Sequence, residues 1–203
     1  MINWLDNITL EGNKATLAPL DGTHKNELLA AAEDGKLWEL WYTSVPSAAN
    51  IDNYIEFALK TKEQGTSYPF VIIDKAQGKI IGSTRYCNAT PEHRRLEIGY
   101  TWYAKSRQRT GINTECKLLL LSYAFEALQC IAVEFRTNWF NLQSRNAIAS
   151  LGAKQDGILR NHKINPDGTF RDTVVFSITQ EEWPSVKKSL LYKLEKYNLN
   201  KRM

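Results

Sequence analysis

The stretch from Leu96 to Leu121 constrains the fold more than any other part of this chain. Leu96, Ile98, Tyr100 and Trp102 alternate with Glu97, Gly99 and Thr101, the period of two that gives a strand two distinct faces. The alternation ends in a basic loop, Lys105-Ser106-Arg107-Gln108-Arg109-Thr110-Gly111-Ile112-Asn113. Beyond it Ile112, Leu118, Leu119, Leu121, Phe125 and Leu128 form the apolar stripe of a helix, and Ala132 to Asn138 reads as the next strand. Strand, helix and strand in that order make a local βαβ crossover, which requires a sheet with helices packed on it.

The flanking segments extend that sheet. Ala15 to Leu20 is a short strand ended by Asp21-Gly22, and His24 to Glu33, rich in Ala and Leu, is a helix. Ile51, Tyr54, Ile55, Ala58 and Leu59 fall on one helical face that runs to about Gln64, before Gly65. Phe70 to Ile73 and Ile80 to Asn88 form a hairpin across the turn Asp74 to Gly78. Asn141 to Leu151 is a helix stopped by Gly152. The turn Asn165-Pro166-Asp167-Gly168 joins strands near Gly157 to Lys163 and Thr169 to Ile178. Thr179-Gln180-Glu181-Glu182 has capping-box spacing and opens a last helix, in which Pro184 is expected to introduce a kink. With no internal repeat and no Pro/Ser/Gly-rich linker, residues 1–203 read as one α+β domain. Its single mixed sheet is mostly antiparallel and flanked by helices, with a core of about 14–183 and a C-terminal helix over 184–203.

Composition narrows the class. Apolar residues at 43% and charged residues at 24% are ordinary for a globular chain. The longest apolar runs are a few residues, so no segment is expected to span a bilayer. The start, Met1-Ile2-Asn3-Trp4-Leu5-Asp6, has no basic region followed by an apolar one, and a cytoplasmic protein is expected. A formal charge of +4 is too mild and too scattered for a nucleic-acid face, and suits a small anionic ligand. Cys87, Cys116 and Cys130 lie far apart among apolar or aromatic neighbours, which predicts buried free thiols. His24, His93 and His162 are isolated, so no metal is expected.

The basic loop is the candidate ligand site. A helix N-terminus presents free N–H groups and a partial positive charge, and Gly111 allows close backbone approach. Lys105, Arg107 and Arg109 add cations. No Gly-Lys-Ser/Thr follows, which excludes a Walker loop, and two of the three dinucleotide-fingerprint glycines are missing. On these residues alone an anion site and a merely solvated loop both remain open.

Four motifs in register carry a resemblance. Gln108-Arg109-Thr110-Gly111-Ile112-Asn113 is similar to the Q/R-x-x-G-x-G/A pyrophosphate loop of the GCN5-related N-acetyltransferase (GNAT) superfamily, with Asn113 in place of the last small residue. Leu96 to Trp102 resembles the strand before that loop in the RimJ/RimL-like branch, which acetylates ribosomal-protein N-termini. Asn141-Leu142-Gln143-Ser144, followed by Leu151-Gly152-Ala153, resembles that branch's N-x-x-S/A helix and its ending. The hairpin with Arg160, Asp167-Gly168 and Arg171-Asp172 is also similar, and the match covers roughly Thr16 to Trp183.

The resemblance implies a three-layer α/β fold and acetyl-CoA as co-substrate. The backbone around Gln108, Arg109, Thr110, Gly111, Ile112 and Asn113 would hold its pyrophosphate, Asn141 would contact the pantetheine arm, and Ser144 would lie near the sulfur. Many relatives place a thiolate-protonating tyrosine seven residues after the asparagine. Ile148 stands there in this chain, leaving Ser144 as the substitute. Acetyl transfer needs a neutral amine, hence a base, and Glu97 is the candidate, opposite the apolar face of its strand. An N–H between Gly99 and Trp102 would face the oxyanion. The competing readings are a Glu97–Arg85 ion pair, a Ser144 hydroxyl bonded within its own helix, and a solvated Arg145. Trp38, Trp41 and Tyr42 are candidates for the acceptor pocket or for the core. The expected partner is an amine, either a small molecule or a protein N-terminus, with no nucleic acid and no membrane; a homodimer is compatible. A non-catalytic acyl-CoA-binding or protein-interaction module is the rival.

Overall fold

A computed structural model describes residues 4–200. Its elements are β1 (Leu10–Glu11), β2 (Ala15–Pro19), α1 (Lys25–Glu33), α2 (Ile51–Glu63), β3 (Tyr68–Asp74), β4 (Lys79–Thr90), β5 (Arg95–Tyr103) and α3 (Ile112–Ser122). They continue with β6 (Ala132–Asn138), α4 (Leu142–Ser150), β7 (Lys154–Ile164), β8 (Phe170–Thr179) and α5 (Trp183–Asn200). One eight-stranded sheet runs β1-β2-β3-β4-β5-β6-β8-β7, and β5–β6 is its parallel pair. The mixed α+β sheet expected from the sequence is present, with the two-residue β1 as an unforeseen edge.

Alternation along β3 divides the interior into two cores. Tyr68, Phe70 and Ile72 face one core, joined by Leu96, Ile98, Cys116 and Leu120, with Trp183 and Leu190 of α5. Val71 faces the other, beneath Leu28 and Ala32 of α1 and Ile51 and Ile55 of α2. Each such side chain contributes about 1.5–3 kcal/mol on full burial. The Tyr86 hydroxyl donates to the Leu120 carbonyl at 2.6 Å and ties α3 to β4. All three cysteines are free and buried.

Two expectations change. Pro184 is the second residue of α5, where no intrahelical N–H is required, so it begins the helix and does not kink it. The Glu182 carboxylate accepts from the Thr179 N–H at 3.0 Å, as the capping-box spacing predicts. The second change is in β5, whose alternation does not hold throughout. Gly99 pairs with Arg85 but Trp102 pairs with Ser83, so three steps on β5 oppose two on β4. Tyr100 takes a φ of +52° at this bulge. Consequently Leu96, Ile98 and Tyr103 face the α3 core, while Trp102 enters the α1–α2 core and Tyr100 is 36% exposed.

The feature that positions the site is a parting of strands. Pairing between β5 and β6 is confined to Arg95–Glu97 against Ala132–Glu134. Beyond Glu97, β5 stays with β4 while β6 stays with β8 as far as Asn138, so the sheet opens into a wedge.

Candidate active site

A cavity of about 730 Å³ occupies the wedge and extends from the basic loop to Glu97 and the β7–β8 hairpin. The N–H groups of Arg109 through Thr114 have no acceptor among the described residues, and Gly111, the residue before α3, provides no side-chain cap. Gly111 has a φ of +85°, a region that glycine enters without steric cost. A Cβ there would stand 3.1 Å from the Tyr197 ring of α5, which closes over the loop.

The polar side chains here are largely committed to holding the frame. Gln108 donates from Nε2 to the Tyr103 carbonyl at 3.1 Å and accepts from Gln143, and its own N–H goes to the Lys105 carbonyl. Thr110 Oγ1 donates to the Arg107 carbonyl at 2.8 Å. Arg107 Nη1 lies 3.2 Å from buried Asp74 Oδ2, so its charge is matched inside the protein. Asn141 caps α4, its Oδ1 accepting from the Ser144 N–H at 2.9 Å. Ser144 lines the cavity, and its hydroxyl has no partner among the described residues, against the expectation of a bond within its helix. Ile148 fills the expected tyrosine position as an 8% exposed core residue. Arg145 is not a solvated charge. It stacks 4.2 Å from the Trp139 ring centroid and donates to the Trp139 carbonyl.

Glu97 is 8% exposed. Its Oε2 accepts from Asn88 Nδ2 at 2.7 Å and lies 3.6 Å from Arg136 Nε. Burial pushes its pKa up; the Asn88 hydrogen bond and Arg136 oppose the rise without cancelling it. Gly99 makes room for this carboxylate, since a Cβ there would come within 3.0 Å of Glu97 Oε1. The competing reading, a Glu97–Arg85 ion pair, is absent. Arg85 pairs along the sheet with Gly99, two residue pairs beyond Glu97, and its guanidinium lies 4.5 Å from the Tyr54 ring and 4.4 Å from the Tyr100 ring.

Lys117 lines the cavity and escaped the sequence reading, while Arg85 and Arg171, named there only as an ion-pair partner and as part of the hairpin motif, also prove to be cavity groups. Lys117 Nζ donates to Thr101 Oγ1 at 2.7 Å and finds no carboxylate within 4.0 Å among the described residues. Burial lowers its pKa to about 8. A lone lysine inside the apolar stripe of α3 was the available signal. Of the aromatic trio, Trp38 packs on the α1–α2 core, Tyr42 lines the cavity, and Trp41 is 62% exposed against Tyr42 and Phe140.

The wedge, its cap-free helix and the buried carboxylate beside a bulge form one continuous site. Residues 14–154 match the family model described as Acetyltransferase (GNAT) domain. The chain belongs to the GNAT acetyltransferase domain family. It is 31% identical over 110 residues to "Putative ribosomal N-acetyltransferase YdaF" of Bacillus subtilis (strain 168), an alignment covering 54% of this chain. That match spans 59% of YdaF, so the chain covers somewhat over half the length of this curated relative. The crystal structure of a GCN5-related N-acetyltransferase from Brucella melitensis superposes with a TM-score of 0.83 at 28% identity, covering 94% of this chain and 86% of that one. A "putative acetyltransferase" from T. thermophilus superposes at 0.81 with 32% identity, covering 94% and 99%. Among the described residues no helix is long and apolar enough to cross a membrane, and no group of three or more His, Cys, Asp or Glu could hold a metal ion.

Proposed function

We propose that this chain is an N-acetyltransferase that moves the acetyl group of acetyl-CoA to a primary amine by direct attack in a ternary complex. The observation that carries this is the continuity of one cavity from the acceptor-free N–H groups of Arg109 to Thr114 to the buried carboxylate of Glu97. The residues present fit the co-substrate. Six successive N–H groups, a glycine at positive φ and a helix N-terminus suit a pyrophosphate, and parted strands leave backbone groups free for an extended amide-bearing arm. Acetyl-CoA supplies an acetyl carbonyl activated as a thioester.

The protein's part is positioning and proton movement. Residues 109–114 hold the anionic end through backbone, with Gln108 bracing the turn, and Asn141 fixes the start of α4 so that Ser144 faces the cavity. Glu97 accepts the proton of the attacking amine, its raised pKa bringing it closer to the amine's own range. Backbone N–H groups at the bulge from Gly99 to Thr101 face the carbonyl oxygen, and Ser144 passes its hydroxyl proton to the departing sulfur and regains one from solvent, to which Glu97 releases the proton taken from the amine. The C–N bond forms as the C–S bond breaks. Residues 1–203 act as one domain in this reading. The likeness to YdaF, a "putative ribosomal N-acetyltransferase", supports a protein amine as acceptor, and the branch resemblance narrows this to an N-terminal α-amine.

The test joins calorimetry with turnover. Acetyl-CoA at a hundred times its Kd should stabilise the fold by about 2.7 kcal/mol, and a panel of amines should release CoA. Binding without turnover on any amine would leave a non-catalytic acyl-CoA-binding module; absence of binding would overturn the site altogether.

A further inference from the structure

The acceptor end of the cavity carries an electrostatic signature that the acetyl-transfer reading does not require. Glu97 is the one carboxylate among the described lining residues, against seven Lys and Arg side chains. Arg107 and Arg109 belong to the loop end, and Lys117 enters from the α3 side. Arg85, Arg136, Lys163 and Arg171 remain, and they project from β4, β6 and the β7–β8 hairpin around Glu97.

Arg85 is the informative member. It is 1% exposed, yet among the described residues Nε and Nη1 have no hydrogen-bond partner, and its one bond there is a long 3.4 Å donation from Nη2 to the Tyr54 carbonyl. The Tyr54 and Tyr100 rings hold the guanidinium in place without neutralising it. Arg171 Nε is a second buried donor without a partner, and Arg171 also lines the cavity. Buried guanidinium donors carry a large desolvation cost unless an anion meets them. Cys87 stands opposite Glu97 and Arg85 lies two residues further along the same strand, so Arg85 and Glu97 project from one face of neighbouring strands, offset by about one strand repeat, roughly 6.5–7 Å, along the strand direction. A positive group and a negative group a few ångströms apart on one molecule match this pair.

We propose that the acceptor is an amine bearing a carboxylate close by, its amino group placed at Glu97 and its carboxylate held by Arg85 and Arg171. This rests on the acetyl-transfer reading and narrows its substrate. A free amino acid and a peptide with an acidic residue next to its N-terminus share the required chemistry. Polyamines and neutral amines do not, because the site would confront them with unmatched cations.

Paired substrates read this directly. Glutamate and other free amino acids are compared with their α-carboxamides, peptides carrying Glu at position two with the same peptides carrying Gln, and spermidine serves as the cationic control. The acid member of at least one pair should exceed its amide in kcat/KM by about ten- to a hundredfold; which pair responds tells a free amino acid from a peptide. In Arg85→Met the KM for the acid should rise and the acid-to-amide ratio should fall towards one, with acetyl-CoA affinity by calorimetry reporting an intact fold. Arg171→Gln, at a less enclosed position, should lower the same ratio and decides the matter if the Arg85 variant does not fold. Equal use of acids and amides, preference for spermidine, or a ratio indifferent to both substitutions overturns the inference and leaves the transferase reading standing. No turnover on any amine with acetyl-CoA bound overturns both.

Discussion

Two buried carboxylates, one at each end of the polar interior, have opposite surroundings. Glu115, in the first turn of α3, is 5% exposed and fully engaged: its oxygens accept from the N–H groups of Asn13, Lys14 and Ala15 at 2.8–3.0 Å. It closes the β1–β2 turn and fixes that edge against α3, and Gly12 is bare because a Cβ would strike it at 2.5 Å. Glu97 is nearly as buried but has one hydrogen bond, from Asn88, and an ion-pair contact at 3.6 Å. Glu115 is placed for stability. Glu97 is left with unused acceptor capacity facing a cavity, and its raised pKa shows burial outweighing its partners. Incomplete satisfaction, more than burial, is what separates Glu97 from Glu115.

The comparison breaks most readily at Glu97. Glu97→Gln should reduce turnover by about 10²- to 10⁴-fold, with donor affinity little changed and partial recovery at high pH, where the amine loses its proton unaided. Stability should move the other way. The folded chain holds the Glu97 proton to higher pH than the unfolded chain does, so wild type loses stability as pH rises from the ordinary carboxylate range through the raised value. The amide resembles the protonated form and escapes that loss. Melting curves above this range should therefore show the variant at least as stable as wild type, and below it the two should converge. Wild-type turnover from pH 6 to 9 would remove Glu97 from the mechanism.

At Glu115 the expected pattern is reversed. Glu115→Ala strands three N–H groups beneath the turn and should cost about 3 kcal/mol or more of unfolding free energy. Per folded molecule, turnover should hold. A variant as stable as wild type, or one that is folded but inactive, would mean that the two carboxylates were wrongly sorted.

How much of this was legible beforehand depended on what each feature needs from neighbours. The loop and helix at Gln108 to Leu121 follow from local periodicity and glycine placement, and they stand where expected. Glu97 was placed correctly on the polar face, because strand parity is reliable up to the bulge. Past Gly99 parity failed, since one inserted residue reverses every later side chain and leaves a glycine as its trace in sequence. Strand adjacency offered Arg85 as a competing ion-pair partner of Glu97. Which of two neighbouring cations pairs is decided by α2, whose Tyr54 draws Arg85 aside, and by Asn88 and Arg136, which occupy the carboxylate. The motif also named Gln108 and Asn141 without revealing that their side chains brace the frame.

Lys117 sharpens the contrast from the other side of the wedge, as a buried ion of opposite sign that is also short of partners. Thr101 is its one hydrogen-bond acceptor among the described residues, and burial lowers its pKa from 10.5 to about 8. Between those values the unfolded chain binds more protons than the folded one, so stability rises with pH across that window. Below pH 8 the full penalty of holding a charged ammonium inside is present. Lys117→Met keeps the length of the side chain, removes the charge and gives up the bond to Thr101. A shift of this size corresponds to about 3 kcal/mol and the lost hydrogen bond to about 1, which leaves the variant about 2 kcal/mol more stable near neutral pH. Chemical denaturation at pH 7 and again at pH 10 measures it, and the advantage should be gone at the higher pH. A variant less stable than wild type at pH 7 would mean that Lys117 is a satisfied core residue like Glu115, and that the wedge holds one under-partnered ion on this axis instead of two.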